Sequence, residues 1–220
     1  MQGSGTFGVE SVFTSVVGEN EKLLIIANGA YGQRMANICQ HAKVNHEIIE
    51  FAENENPSAK VIAEKLDEDL AITHVAMVHS QTTSGILNDI ASVAKVVKER
   101  NKIFIVDAMS SFGGVDIEVG KLGIDFIISS ANKCIQGVPG FSFIIANKQL
   151  LIASKDKARS LSLDLYDQWE TMNKDGKWRF TSPTHVVLAF SKAIDELLEE
   201  GGIEKRSERY YTNNRLLIKK

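Results

Sequence analysis

The chain has 220 residues, 44% of them hydrophobic and 24% charged, with a formal net charge of −3. That balance fits a soluble globular protein with one sizeable α/β core, or a large domain and a small appendage. It excludes a basic run that tracks nucleic-acid phosphates, an apolar stretch of about 18 residues that spans a membrane, and a charged-then-apolar leader at the N-terminus.

The first stretch, 3-GSGTFGVESVF-13, is glycine-rich and leads into a helix-period segment over residues 6–17. Gly3 and Gly5 let backbone approach an anion closely. Ser4 and Thr6 can cap the helix and offer hydroxyls, and free N–H groups face outward from a first helical turn. The stretch reads either as a phosphate cup or as a flexible tail. It is not a Walker loop, because no Gly-Lys-Ser/Thr follows, and no strand precedes it as in a dinucleotide fingerprint. Apolar, β-branched runs then occur at 22–28, 46–51, 74–80, 102–108, 125–131 and 141–147. Most are too short for helices, and several are continuously apolar, as strands buried on both faces are. Helix-period segments at 32–43, 58–68 and 86–100 lie between them. In the last, Ile86, Ile90, Val93 and Val97 form an apolar stripe. This alternation predicts an α/β fold with a mostly parallel sheet flanked by helices. About ten loop residues join the last two strands, too few for a helical crossover, so an antiparallel strand is expected there. From Pro183 a long helix is predicted over 184–202, closed by Gly201–Gly202. The abrupt glycine-rich start and the ending 215-RLLIKK-220 read as those of a piece of a larger protein.

Two further stretches carry chemistry. In 105-IVDAMSSFGG-114, Asp107 sits at the C-terminal end of a buried strand, where open α/β sheets bind ligands. It is either a turn former or a carboxylate that keeps a ring nitrogen protonated. In 125-DFIISSANKCIQGVPGF-141, Lys133 follows Ser129, Ser130, Ala131 and Asn132 and precedes a loop with Gly137, Pro139 and Gly140. A crowded, partly desolvated lysine is expected, which suits Schiff-base chemistry. Cys39 and Cys134 lack metal-ligand spacing, so no metal site and a reducing, cytoplasmic compartment are expected. Cys134 is a small core residue or a reactive thiol. A phosphate cup, an aspartate at a strand end and a lysine one strand later form the constellation of a pyridoxal phosphate enzyme.

The run 125–141 resembles the fold-type I, class V aminotransferases. Similar stretches are 3-GSGTF-7, 28-NGAYGQRM-35, 103-IFIVDAMSSFGG-114, 160-SLSLDLYDQWETM-172 and 177-KWRFTSPTH-185. The last two resemble the branch that acts on 2-aminoethylphosphonate and pyruvate. Asn132 stands where cysteine desulfurases usually carry a histidine, which counts against that branch. The resemblance implies a cytoplasmic homodimer with shared active sites, pyridoxal 5′-phosphate as cofactor, and no nucleic-acid or membrane partner. By position it implies Lys133 as the lysine that bonds the cofactor and moves protons, and Asp107 as the partner of the ring nitrogen. Ser4, Gly5 and Thr6 would hold the cofactor phosphate, and Asn132 would brace that end. Tyr31 would lie against the ring, and Thr82 would bond its 3′-oxygen. Arg179 and Thr181 would reach the phosphate of the neighbouring subunit. Gln81 stands where the family carries glutamate. Arg34 and Arg179 are candidates for the phosphonate. The implied division is a cofactor-binding large domain over 1–183, then over 184–220 the long helix and the start of a connection to a small domain. That small domain, absent from this chain, would supply the arginine for the substrate carboxylate. Other readings stay open at this point: an alanine–glyoxylate or serine–pyruvate type aminotransferase, a non-catalytic cofactor-binding remnant, and a Schiff-base lyase or aldolase-like enzyme that uses Lys133 without the cofactor.

Overall fold

The structure, a computed structural model, describes residues 1–219. Helix α1 (Gly5–Val16) leads into β1 (Lys22–Ala27), and α2 (Ala30–His41) returns to β2 (His46–Glu50). Helix α3 (Ala59–Glu68) precedes β3 (Ile72–Val78), and a small hairpin of β4 (Ser80–Gln81) and β5 (Ile86–Leu87) precedes α4 (Ile90–Glu99). Strands β6 (Ile103–Asp107), β7 (Phe126–Ser130) and β8 (Ser142–Ala146) follow. The remainder is helical: α5 (Lys148–Ala153), α6 (Leu165–Asp175), α7 (Thr184–Glu199) and α8 (Gly202–Ile218).

The six-stranded sheet has the order β2-β1-β3-β6-β7-β8. Its strands run parallel except β8, which is antiparallel to β7 with Phe126 opposite Ala146 and Ser130 opposite Ser142. The short connection thus gives the antiparallel pair expected. Alternating side chains feed two apolar layers. Leu23 and Ile25 of β1 pack with Val12 and Phe13 of α1 and with Met35 and Cys39 of α2. Leu24 and Ile26 pack on the other side with Ile62 and Leu66 of α3 and with Val93 and Val97 of α4. Each such side chain, fully buried, contributes roughly 1.5–3 kcal/mol. This double coverage is why the strands read as unbroken apolar runs. Helix α2 approaches β1 closely because Gly32 has no side chain. A Cβ there would stand 2.5 Å from Ala27 Cβ and 2.6 Å from Ala27 Cα.

Two segments depart from the sequence reading. The helix expected from residue 86 begins at Ile90, because Asp89 caps it by accepting the Ser92 N–H at 3.0 Å. Ile86 instead pairs with Gln81 in the hairpin. The long helix expected over 184–202 ends at Glu199, Gly201 takes the left-handed conformation at φ 106°, and α8 begins at Gly202. The ending 215–220 belongs to α8 as far as Ile218, and Lys220 lies outside the described residues. Helices α5, α6 and α8 bury few apolar side chains, so no stripe announces them.

Candidate active site

The parallel strands end along one edge of the sheet. Between the paired strands β1 and β3 the strand order reverses, β2 lying beyond β1 on one side and β6 beyond β3 on the other, which is the switch point where open α/β sheets take ligands. A cavity of about 200 Å³ opens at this edge. Its walls come from Ser4, Gly5 and Thr6 of the α1 start, Tyr31 and Arg34 of α2, Ser80 after β3, Asp107 and Met109 at the end of β6, Ser130 at the end of β7, and Asn132 and Lys133 after it.

The α1 end of the cavity is rich in free donors. Ser4 is the N-cap residue but makes no side-chain cap bond, contrary to the expected hydroxyl cap. The Phe7 N–H donates to the Ser4 carbonyl at 3.0 Å, and the Ser4 hydroxyl with the Gly5 and Thr6 N–H groups is left for an anion, at the positive end of the helix dipole. Gly5 belongs here sterically, since a Cβ would stand 2.1 Å from Met109 Sδ.

Asp107 is buried, and its Oδ1 accepts the Met109 N–H at 2.9 Å. It is thus a turn former and a cavity carboxylate at once. Burial pushes its carboxyl up to about 6, against the opposing pull of the Met109 N–H and the Lys133 and Arg34 charges. Its carbonyl accepts the N–H of His79 at 2.8 Å, which fixes the strand end.

Lys133 is exposed at the mouth, so the expected desolvation is not met. The cause is the turn it rides on. The Gln136 N–H donates to the Lys133 carbonyl at 2.7 Å and the Gly137 N–H to the Ala131 carbonyl at 2.9 Å, which lifts Lys133 out of the sheet among small neighbours. Asn132 is exposed beside it.

Tyr31 is half-buried. The Thr82 hydroxyl donates to its hydroxyl at 3.0 Å, and the Arg34 guanidinium lies 5.1 Å from its ring centre. Thr82 itself is exposed and does not line the cavity. Gln81 is fully buried behind the wall, where its Nε2 donates to Asn28 Oδ1 at 3.0 Å. Arg179 and Thr181 lie away from this cavity. Arg179 pairs with Asp167 at 2.8 Å, and the Thr181 carbonyl accepts from Gln2 Nε2 at 2.8 Å. Ser80, Met109 and Ser110 also line the cavity and were not singled out in the sequence. Their adjacency to Gln81 and Asp107 was the available signal. Among the described residues no group of three or more His, Cys, Asp or Glu is placed to hold a metal, and no helix is long and apolar enough to cross a membrane.

Fold and cavity together define an α/β protein with a cavity at the strand ends, where an uncapped helix start, a buried carboxylate and an amine surround one space. The chain belongs to the class-V aminotransferase family, whose model matches residues 1–219. It is 57% identical over 219 residues to a 2-aminoethylphosphonate–pyruvate transaminase of Bacteroides fragilis, covering 99% of this chain and 60% of that protein. A protein of the same name from Lysinibacillus sphaericus is 57% identical over 217 residues, with 99% and 59% covered. The chain thus spans about 60% of the length of these relatives. Among solved structures, pyridoxamine–pyruvate aminotransferase from Mesorhizobium loti superposes with a TM-score of 0.86 at 25% identity, over 95% of this chain and 54% of that one.

Proposed function

We propose that the chain is part of a pyridoxal phosphate-dependent transaminase that moves the amino group of 2-aminoethylphosphonate to pyruvate, leaving phosphonoacetaldehyde and alanine. The observation that carries the reading is the convergence of Lys133, Asp107 and the uncapped α1 start on one cavity. The donor set fits the cofactor: a helix start for its phosphate, a buried carboxylate for its ring nitrogen, and an amine at the mouth for its aldehyde carbon. When bound, pyridoxal 5′-phosphate supplies the electron sink for amino-group exchange.

The chain's own residues then take these roles. Ser4, Gly5 and Thr6 bind the phosphate, with Asn132 beside them. Asp107 holds the proton on the ring nitrogen. Tyr31 offers an aromatic face, and Thr82 steadies Tyr31 and a ring oxygen. Lys133 carries the cofactor between turnovers and moves the substrate proton as acid and base. Arg179 and Thr181 serve the cavity of a neighbouring subunit in a cytoplasmic homodimer. Residues 1–183 form the cofactor-binding large domain, and 184–220 begin the connection to a small domain. The relatives' names support the substrate assignment, and the two halves of such a reaction give ping-pong kinetics.

The test is a half-reaction. Protein loaded with the cofactor loses its visible absorbance on adding 2-aminoethylphosphonate and regains it on adding pyruvate. Loss with serine or alanine but not with 2-aminoethylphosphonate contradicts the substrate assignment.

A further inference from the structure

Helix α8 meets the lysine-bearing loop through one arginine. Arg206 is the single buried residue of α8 among those described, with 2% exposure. Its Nη1 donates to the carbonyl of Cys134 at 2.8 Å and to that of Ile135 at 3.3 Å. Its Nε and Nη2 each lie 2.8 Å from Glu200 Oε2, at the end of α7. Glu200 is gripped as well by Arg209, at 2.7 and 3.0 Å. One turn on from Arg206, the Tyr210 hydroxyl accepts from Gln136 Nε2 at 2.7 Å.

Three consecutive loop residues directly after Lys133 are therefore tied to α8. The loop is tied to the Asp107 turn as well, because Cys134 Sγ donates to the Ser110 carbonyl at 3.3 Å. Gln136 has φ 66°, a conformation that non-glycine residues keep when their surroundings impose it. A buried guanidinium is tolerated when charge and donors are both matched, and here a carboxylate and two carbonyls match them. No apolar stripe holds α8 in place, so this polar clasp is its main anchor.

The geometry points to Arg206 as a positioning residue: clasped by Glu200, it fixes the backbone of residues 134–136 and so the place of the Lys133 amine opposite Asp107. The catalytic meaning rests on the proposed role of Lys133, whereas the tether itself does not. Helix α8 is thereby coupled to the lysine, and displacement of α8 loosens the loop.

The experiment compares Arg206→Gln, the conservative Arg206→Lys, and Lys205→Gln as a control on the same helix. Hydrogen exchange on the chain without added cofactor reads the Gln136 and Gly137 amides. In Arg206→Gln they exchange at least tenfold faster while β1 and β3 amides keep their rates; Arg206→Lys falls between, and Lys205→Gln matches the parent. The rate at which added pyridoxal 5′-phosphate bonds Lys133, followed by visible absorbance, falls at least tenfold in Arg206→Gln and is partly restored in Arg206→Lys. Unchanged loop exchange overturns the tether. Faster loop exchange with an unchanged bonding rate overturns the positioning role. If the parent protein itself takes up no cofactor on Lys133, the functional reading fails, and the exchange rates alone decide the tether. Should Arg206→Gln not fold, Glu200→Gln removes the other half of the clasp and is read in the same way.

Discussion

Replacing Asp107 by asparagine should stabilise the chain in the absence of cofactor and weaken cofactor binding. The carboxyl titrates at about 6 when folded, against an ordinary value of 3.8, because it is buried at the cavity wall. Its folded pKa is raised, so its contribution to stability is fully present below pH 3.8 and is lost as pH rises through about 6. The displacement is about two pH units, and at 1.36 kcal/mol per unit the charged form costs the native state about 3 kcal/mol at pH 8. Asparagine has nearly the same shape, keeps an Oδ1 for the Met109 N–H, and carries no charge to bury. Urea unfolding of both proteins without cofactor should therefore show Asp107→Asn more stable by about 3 kcal/mol at pH 8, with the difference closing toward zero near pH 4. Adding pyridoxal 5′-phosphate should narrow or reverse the difference, because a protonated ring nitrogen gives the carboxylate its missing partner. A gain absent at pH 8, or one that persists unchanged at pH 4, would refute the reasoning. The aspartate would then not be a destabilising group retained for a ligand.

Burial also lowers His79 to about 4, with Ser111 Oγ 2.9 Å from its Nδ1. Its folded pKa is depressed, so the native state should lose about 3 kcal/mol as pH falls from 6.5 to 4, and His79→Gln should flatten that part of the pH–stability curve. A curve of the same steepness in the variant would contradict this. Gly32→Ala should push α2 off β1, since its Cβ meets Ala27 backbone at 2.6 Å. Overpacking of this kind costs roughly 1–3 kcal/mol in urea unfolding, and because Tyr31 and Arg34 ride on α2, cofactor affinity measured by titration should fall as well. Arg179→Gln should leave the stability of one chain nearly unchanged, because its pair with Asp167 is partly exposed. It should lower cofactor retention in trans: mixing with Lys133→Ala chains, which keep Arg179 but cannot bond cofactor, should restore retention, and an absence of restoration would remove the shared-site reading.

Much of the fold can be read in the sequence because two physical patterns are strong. Strands covered on both faces, such as those holding residues 23–27 and 75–78, carry apolar runs without interruption. The connection before Ser142 is too short for a crossover, which leaves β8 antiparallel. The heart of the cavity was also legible, since Asp107 ends β6 and Lys133 lies in the loop after β7. What escaped depends on contacts distant in sequence. The exposure of Lys133 follows from a turn geometry that residue types do not specify. Gln81 bonds Asn28 behind the wall and does not line the cavity, so its replacement of an expected glutamate leaves the lining untouched. Arg179 is held within this chain by Asp167, and no periodicity shows that. Arg206 is the one fully buried residue of helix α8 among those described, and a single buried arginine gives no stripe to recognise.

The most direct measurement is covalent trapping. The folded chain is incubated with pyridoxal 5′-phosphate, reduced with borohydride, digested and mapped by peptide mass, beside Lys133→Ala treated in the same way. Incorporation at Lys133, with none in the variant, is the predicted result. An unlabelled Lys133 in folded protein, or equal labelling of the variant at other lysines, would contradict the account.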